Sequence, residues 1–376
     1  MDIAIIVTYR CNSKCSMCNI WKNPSLPDEE VSLEMLEKLP GDFGTINLTG
    51  GEPTLRTDLM EIVDLLYPKT HKLEISSNGL LPHKLEPIIS KYPDIKIRFS
   101  LEGVEETNNL IRGEKNGYQT KIDGLLRLKE LGGTDLGFAI TIQDDNSADL
   151  VGLFRFSEEH GFELATSTLH NGFQFHKNDN IPYDRVKIAH DIEKLITEQL
   201  RTNTIKNWFR AYLDLGLIAK VLGNDRLLPC TIGYTSAFID PWGKVYACNV
   251  RPDLYMGDLN TQTLEEIMTS ALADEVRRKV DQCQQNCWMV GSAKTAMRQS
   301  RFTQLPKWEP FSWVLTNKIK VTLGQEIDFK RYVNYAIPAE VIPAPRRPFY
   351  LNQTAKKTVQ RKEDEHYTHI GEFFNK

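Results

Sequence analysis

The sequence predicts an α/β protein: a partial TIM-like (β/α)6 barrel followed by a small α+β domain with a β-hairpin. Three observations carry that prediction. Six short apolar runs alternate with helix-patterned segments between residues 3 and 168, the order of parallel βα units. Several of these runs lead into Gly, Ser, Asn or Cys, residue types expected where barrel strands give way to functional loops. Farther on, FIDPWGKVYAC (238–248) reads as two strands about a Pro241–Trp242–Gly243 turn. The expected limits are 1–205 for the barrel, 206–300 for the second domain with its connecting helices, and 301–376 for a C-terminal extension.

Residues 3–8 (IAIIVT) are β-branched and apolar throughout, as a parallel strand buried on both faces requires. A cysteine-rich loop follows, then a helix-like segment with Ser32 before Met35, Leu36 and Leu39. The second strand, 45–49 (TINLT), runs into Gly50–Gly51–Glu52–Pro53. A third strand, 72–77, ends in Ser77–Asn78–Gly79, and a helix over 84–92 is closed by Pro93. Strand four spans 95–101 and precedes Glu102–Gly103; a helix over about 118–131 ends at Gly132–Gly133. Strand five spans 136–142, the next helix covers about 147–160 and stops at Gly161, and strand six spans 163–168. Cys11, Gly50, Ser77, Ser100 and Thr141 thus fall at C-terminal strand ends, where a barrel carries its chemistry. Residues 182–222 are helix-rich, and residues 338–348 hold four prolines before a polar tail expected to be extended or mobile.

The chain has 376 residues, enough for two or three domains. It is 41% hydrophobic and 26% charged, so it can bury a core. Lys plus Arg total 46 and Asp plus Glu 50, a net charge of −4, which excludes a strongly basic nucleic-acid coat and an acidic disordered tail protein. No apolar run approaches the roughly 18–20 residues of a membrane span. The opening MDIAIIVTYRC lacks the basic start of a signal peptide. A cytoplasmic enzyme without nucleic-acid partner or membrane span is therefore expected.

The seven cysteines are placed in two groups. Cys11, Cys15 and Cys18 crowd one loop, Cys230, Cys248, Cys283 and Cys287 lie late in the chain, and none falls between. Core thiols would be scattered, and an odd count with three in one loop suits no disulfide framework. Three thiolates at Cys-x3-Cys-x2-Cys can hold three corners of an iron–sulfur cluster and leave one iron open. Zinc competes, but a structural zinc needs four protein ligands and no histidine follows before His71.

The CxxxCxxC loop after the first strand and the GGEP motif after the second together resemble the radical S-adenosylmethionine (SAM) superfamily, over roughly residues 1–200. The resemblance implies a 4Fe–4S cluster on Cys11, Cys15 and Cys18, with SAM chelating the open iron. It implies that Gly50, Gly51, Glu52 and Pro53 line the methionyl amine; two glycines let the backbone approach a ligand closely. Ser77, Asn78 and Ser100 are candidates by position for further SAM contacts. Arg112, in LIRG, resembles a family arginine that reaches the SAM carboxylate. Turn chemistry or a solvated charge is the plainer reading of these four.

The second group reads Cys230-x12-Gly-x4-Cys248, then Cys283-x3-Cys287, with MGDLNTQTLEEIM between them as a Gly–Asp turn entering a helix. This arrangement resembles the SPASM/twitch domains of radical SAM enzymes, over about 228–290. Four cysteines match one auxiliary 4Fe–4S cluster, the twitch pattern, although relatives often show Cys-x2-Cys for the last pair. A four-cysteine zinc site stays open as the alternative. Trp242 and Trp288 adjoin these cysteines in sequence, with core packing as the simpler role.

The resemblance implies an enzyme that cleaves SAM reductively to a 5′-deoxyadenosyl radical and takes a hydrogen atom from substrate. A fully ligated auxiliary cluster suits an electron relay, hence an oxidation or dehydrogenation. A low-potential donor of flavodoxin or ferredoxin type is implied. Epimerisation would need a spare thiol, and all seven are assigned. His160, His170 and His176 lie near strand six, and none stands out as a base. The first strand begins at the start of the sequence, which tilts the substrate toward a small sugar, aminocyclitol or cell-surface precursor. A peptide brought by a separate recognition partner is the runner-up, and a non-catalytic zinc or iron–sulfur binding protein is the reading from another class.

Overall fold

The computed structural model describes residues 1–299 and 309–337. The four-proline stretch and the polar tail lie outside the described residues. Among them no helix is long and apolar enough to cross a membrane.

Six parallel strands form in chain order: β1 (Asp2–Thr8), β2 (Thr45–Gly50), β3 (Leu73–Ser77), β4 (Lys96–Ser100), β5 (Asp135–Ile142) and β6 (Glu163–Thr168). All six expected strands are present within two residues of their predicted ends. Each presents apolar side chains to the core: Ile5, Ile46, Leu48, Ile75, Ile97, Phe99 and Phe138 are fully buried. Register aligns them in rows, with Ile75 beside Ile97 and Phe99 beside Phe138. The sheet stays open, as a partial barrel does, with β6 at one edge.

The crossovers are helical. Helix α1 (Leu33–Glu37) starts at Ser32, whose hydroxyl accepts from the Met35 N–H at 3.1 Å. Next come α2 (Leu59–Leu66) and α3 (Glu86–Lys91). Helix α4 (Glu105–Arg112), which the sequence pattern did not reveal, precedes α5 (Gly117–Glu130). Helix α6 (Leu150–Glu159) ends the barrel crossovers, and α7 (Arg185–Arg201) packs along α8 (Ile205–Leu222). The expected domain limit at 205/206 falls in the first turn of α8.

The second half joins the first through the sheet. Strand β7 (Ser236–Ile239) pairs in parallel with β1, Ile3 opposite Ala237. Strand β8 (Lys244–Tyr246) returns antiparallel, the expected hairpin, and β9 (Tyr255–Asp258) adds to it. Residues 256–258, expected as a turn, are therefore strand; the turn comes later, before α9 (Leu264–Met268). The nine strands run β6-β5-β4-β3-β2-β1-β7-β8-β9. Helices α10 (Ala271–Asp281) and α11 (Val290–Gln299) follow. The expected C-terminal extension includes residues 309–322. They form α12 (Glu309–Thr322), which buries Trp313 and Val314 against α7 and α8. Its Lys318 donates to the Leu200 and Thr202 carbonyls at 2.8 and 2.9 Å.

Candidate active site

The loop after β1 is held from three sides. The Lys14 and Ser16 N–H groups donate to the Arg112 and Ile111 carbonyls at the end of α4, at 3.1 and 2.8 Å. The Ser13 hydroxyl donates to Glu114 at 2.5 Å. Arg10 forks onto Glu30 at 3.0 and 2.8 Å, and Glu30 also accepts from Ser25 and Thr8. Cys11, Cys15 and Cys18 are thereby presented to one cavity of about 210 Å³ at the C-terminal ends of the strands.

The GGEP segment forms the opposite wall, and its four residues have different tasks. Gly50 has φ +153°, and a Cβ there would stand 2.3 Å from the Thr8 carbonyl oxygen. Gly51 donates its N–H to that oxygen at 2.7 Å, and a Cβ on it would meet the Arg10 carbonyl oxygen at 2.2 Å. Both glycines line the cavity; Glu52 and Pro53 do not. Glu52 is fully buried behind it. Its carboxylate accepts from the Thr54 N–H (3.0 Å), the Thr54 hydroxyl (2.7 Å), the Ser77 hydroxyl (2.8 Å) and the Asn78 N–H (2.5 Å). Burial pushes its pKa up, and these four donors oppose that. Glu52 thus braces the ends of β2 and β3.

Ser77, Asn78, Ser100 and Arg112 do line the cavity. Two of them have their polar atoms engaged within the protein. The Ser77 hydroxyl serves Glu52 and accepts from the Gly79 N–H at 3.0 Å; the Asn78 amide donates to Asn12 at 2.6 Å and accepts from Leu80 at 2.9 Å. Arg112 spends two of its three guanidinium nitrogens within the protein. Its Nη1 donates to Glu102 at 3.0 Å and its Nε to Glu114 at 3.1 Å. Burial works against its charge, but Cys15, Glu114, Glu102 and Cys11 together hold its pKa above the usual arginine range. Lys121, fully buried, pairs with Glu114 at 2.5 Å, and burial and Arg112 press its pKa down to about 8. Glu102, which the sequence reading gave no role, closes this network by accepting from the Thr141 N–H at 2.7 Å.

Removing one member of such a buried set leaves the others unpaired, at about 3–5 kcal/mol. Arg112→Ala is therefore expected to lose stability on that scale, measured by chemical denaturation of the metal-free protein. An Arg112→Ala variant as stable as the wild type would show that Glu102 and Glu114 find other partners.

The late cysteines come together in the same way. Cys248 follows β8 and accepts from the Val250 N–H at 3.2 Å; Cys283 follows α10, its N–H bonded to the Val280 carbonyl at 3.0 Å. Burial raises the Cys248 thiol, with Cys230 and Cys283 adding to it. The same burial, then Cys248, pushes Cys287 up to about 12. Arg226, whose Nη2 donates to Ser292 at 3.1 Å, sits over the Trp288 ring at 5.0 Å and feels all four thiols. Trp288 is 1% exposed and donates its indole N–H to the Leu213 carbonyl at 2.7 Å, a core role. Trp242 is exposed on one side and sets its ring edge against Tyr9 at 5.3 Å.

The donor chemistry fits iron–sulfur clusters. In the first group, burial raises Cys11, Cys15 and Cys18, the last to about 12. Such thiols keep their protons until a metal displaces them. A structural zinc needs four protein ligands, and the first group supplies three thiols with no histidine following before His71. A four-iron cube instead spreads its thiolates over separate corners.

A second cavity, of about 460 Å³, shares Leu169 and His170 with the first and reaches Cys287. Sequence reasoning found no signal for it, because its walls come from β6, α7, α8 and the late cysteine loop. Of the three histidines near β6, His170 lines both cavities. Its Nδ1 lies 3.1 Å from the Thr168 carbonyl oxygen, so that nitrogen carries the hydrogen, and its buried Nε2 has no partner among the described residues. Burial, then Lys220, lowers its pKa to about 4. His160 instead bonds back to the Phe156 carbonyl at 2.9 Å, and His176 meets the Tyr9 ring edge at 5.7 Å.

Comparison with known proteins agrees with this layout. The radical SAM superfamily model matches residues 5–156, and the SPASM model, an iron–sulfur cluster-binding domain, matches residues 230–288. The chain is a radical SAM enzyme with a SPASM domain. Its cofactors are SAM and two iron–sulfur clusters. It is 33% identical over 163 residues to Fe-coproporphyrin III synthase of Methanosarcina barkeri, covering 41% of this chain and 40% of that one. It is 26% identical over 256 residues to the mycofactocin maturase MftC of Mycolicibacterium smegmatis, covering 64% and 62%. The matches thus span about half the length of these curated relatives. The solved structure of native anSMEcpe with bound AdoMet and Cp18Cys peptide shares the fold, with TM-score 0.55 and 15% identity over 86% of this chain and 99% of that one.

Proposed function

We propose that this radical SAM enzyme oxidises a small polar molecule, of the class of a sugar, an aminocyclitol or a cell-surface precursor. In this reading SAM and its cluster occupy the smaller cavity, on Cys11, Cys15 and Cys18 and against Gly50, Gly51 and Ser100. The auxiliary cluster takes Cys230, Cys248, Cys283 and Cys287. One observation carries the proposal: the larger cavity touches the SAM cavity at Leu169–His170 and the auxiliary site at Cys287, so its occupant lies between the two. Its volume suits a small molecule. When bound, SAM on the reduced cluster supplies a 5′-deoxyadenosyl radical that removes a hydrogen atom from carbon, and the auxiliary cluster accepts the electron left behind. The chain's part is to hold the substrate carbinol, exclude water and take its hydroxyl proton at His170 Nε2.

The test uses reduced, cluster-loaded enzyme with SAM and substrates deuterated at single carbons. Deuterium in 5′-deoxyadenosine identifies the attacked bond. His170→Gln is expected to lower the yield of oxidised product per 5′-deoxyadenosine at least tenfold. In the wild type that yield holds from neutral pH downward and falls as the pH approaches about 4, where His170 takes up a proton. An unchanged yield in the variant would remove His170 from the reaction. We further propose a flavodoxin- or ferredoxin-type donor as the reductant and a cytoplasmic location, where thiols stay reduced. A second reading, peptide modification with a separate recognition partner, is favoured by the similarity to the mycofactocin maturase. Deuterium transfer from a peptide and from no small molecule would select it.

A further inference from the structure

We propose that the larger cavity holds the oxyanion of a hydroxyl-bearing acid, a carboxylate or a phosphate ester, against Lys220 and Arg185. The proposal rests on the reading above only for taking that occupant as the substrate.

The cavity lining contains three cations and no carboxylate. One of the cations is already neutralised: Arg251 forks onto Asp253 at 3.0 and 2.5 Å. The other two have no ion pair among the described residues. Lys220, on α8, donates to the Thr168 carbonyl at 3.2 Å, and no ion pair to it exists among the described residues. Arg185, at the start of α7, donates Nη1 to the Val221 carbonyl at 2.6 Å, while its buried Nε has no partner there. Asp144 accepts from the Tyr183 and Asp184 N–H groups at 3.0 and 2.7 Å and reaches Arg185 by its charge without pairing to it. Carbonyl oxygens satisfy hydrogen bonds but not charge. Asp144 and Cys287 act on Arg185 and Lys220 only at a distance, with no ion pair to either cation among the described residues, so both keep a desolvation cost that a bound anion relieves. Charge-assisted contacts to an oxyanion are also about twice as strong as neutral ones.

The other end of the cavity asks for the opposite group. His170 Nε2 is a buried lone pair without a donor. A hydroxyl of the ligand would supply that hydrogen and would sit at the wall shared with the SAM cavity. The neutral amide oxygen of Asn286, also unpartnered, can accept from a second hydroxyl. A polyhydroxylated acid meets all of these demands at once; an uncharged sugar leaves the two cations unpaired.

The test is isothermal titration of the anaerobic, cluster-loaded enzyme with SAM present, using inorganic phosphate and acetate as separate probes. At least one probe is expected to bind in the millimolar range. Affinity is expected to fall at least tenfold in Lys220→Gln and in Arg185→Gln, and to return in Lys220→Arg. Binding of phosphate alone assigns a phosphate ester, and binding of acetate alone a carboxylate. Arg185 lies apart from the cysteine loops in sequence, and matched visible absorbance shows that clusters are intact in each variant. The proposal is overturned if neither probe binds the wild type, or if both glutamine variants bind as tightly as the wild type. The readout is binding, so it remains decisive even where no oxidised product forms; failure of hydrogen abstraction would count against the oxidation reading alone.

Discussion

Replacing Cys15 with serine is expected to abolish 5′-deoxyadenosine formation and to halve the iron, from about eight to about four per chain, as two four-iron clusters imply. Cys15 is the buried member of the first cysteine group, and its loop is pinned to α4 by the Lys14 and Ser16 amides. A hydroxyl is a poor ligand for the soft iron of such a cluster, and no other thiol is within that loop beyond Cys11 and Cys18. Two thiolates cannot keep the cube in place. Iron and sulfide analysis with electron paramagnetic resonance reads the result, and Cys287→Ser should give the complementary spectrum. A Cys15→Ser protein with full iron and undiminished SAM cleavage would refute the assignment of this loop.

The second large effect is expected at Gly51. An alanine Cβ there would lie 2.2 Å from the Arg10 carbonyl oxygen, 2.7 Å from its carbon and 2.8 Å from the Tyr9 oxygen. All three obstacles are backbone, so no rotamer change relieves them. The end of β2 must move away from the cysteine loop, which breaks the Gly51 bond to Thr8 and the Glu52 bond to the Arg10 carbonyl, 2.7 and 2.8 Å. The expected cost is about 3 kcal/mol, typical of forced strain at a tightly packed position. SAM affinity, measured by equilibrium dialysis, should fall by more than tenfold in any fraction that still folds. A Gly51→Ala enzyme with wild-type melting and SAM affinity would mean that the two loops are not tightly apposed.

The barrel strands could be read from the sequence because their signal is local. A strand buried on both faces must be apolar at every position, as IAIIVT and LGFAITI are. The cysteine spacings are local as well. Helix α4 was hidden because its buried face includes Asn108 and Arg112, which serve the ion network and break the apolar period. Strand β7 is four residues long and pairs with a strand more than two hundred residues earlier, which no periodicity can express. The role of Glu52 was obscured by its neighbours: a motif names four residues together, and only burial separates the two that face the cavity from the two behind it. His170 gave no signal of its own, since a histidine becomes informative only once its two nitrogens can be told apart.

The pairing of β7 with β1 also bears on how the chain can be cut. A fragment ending before residue 236 would leave β1 with a row of bare amides and carbonyls along Asp2–Ile5, on the strand that leads into the Cys11 loop. Such a rim recruits copies of itself. Expression of the front half alone should therefore yield self-associating material rather than a miniature catalyst, and dissecting the two metal centres is better done by single substitutions than by truncation.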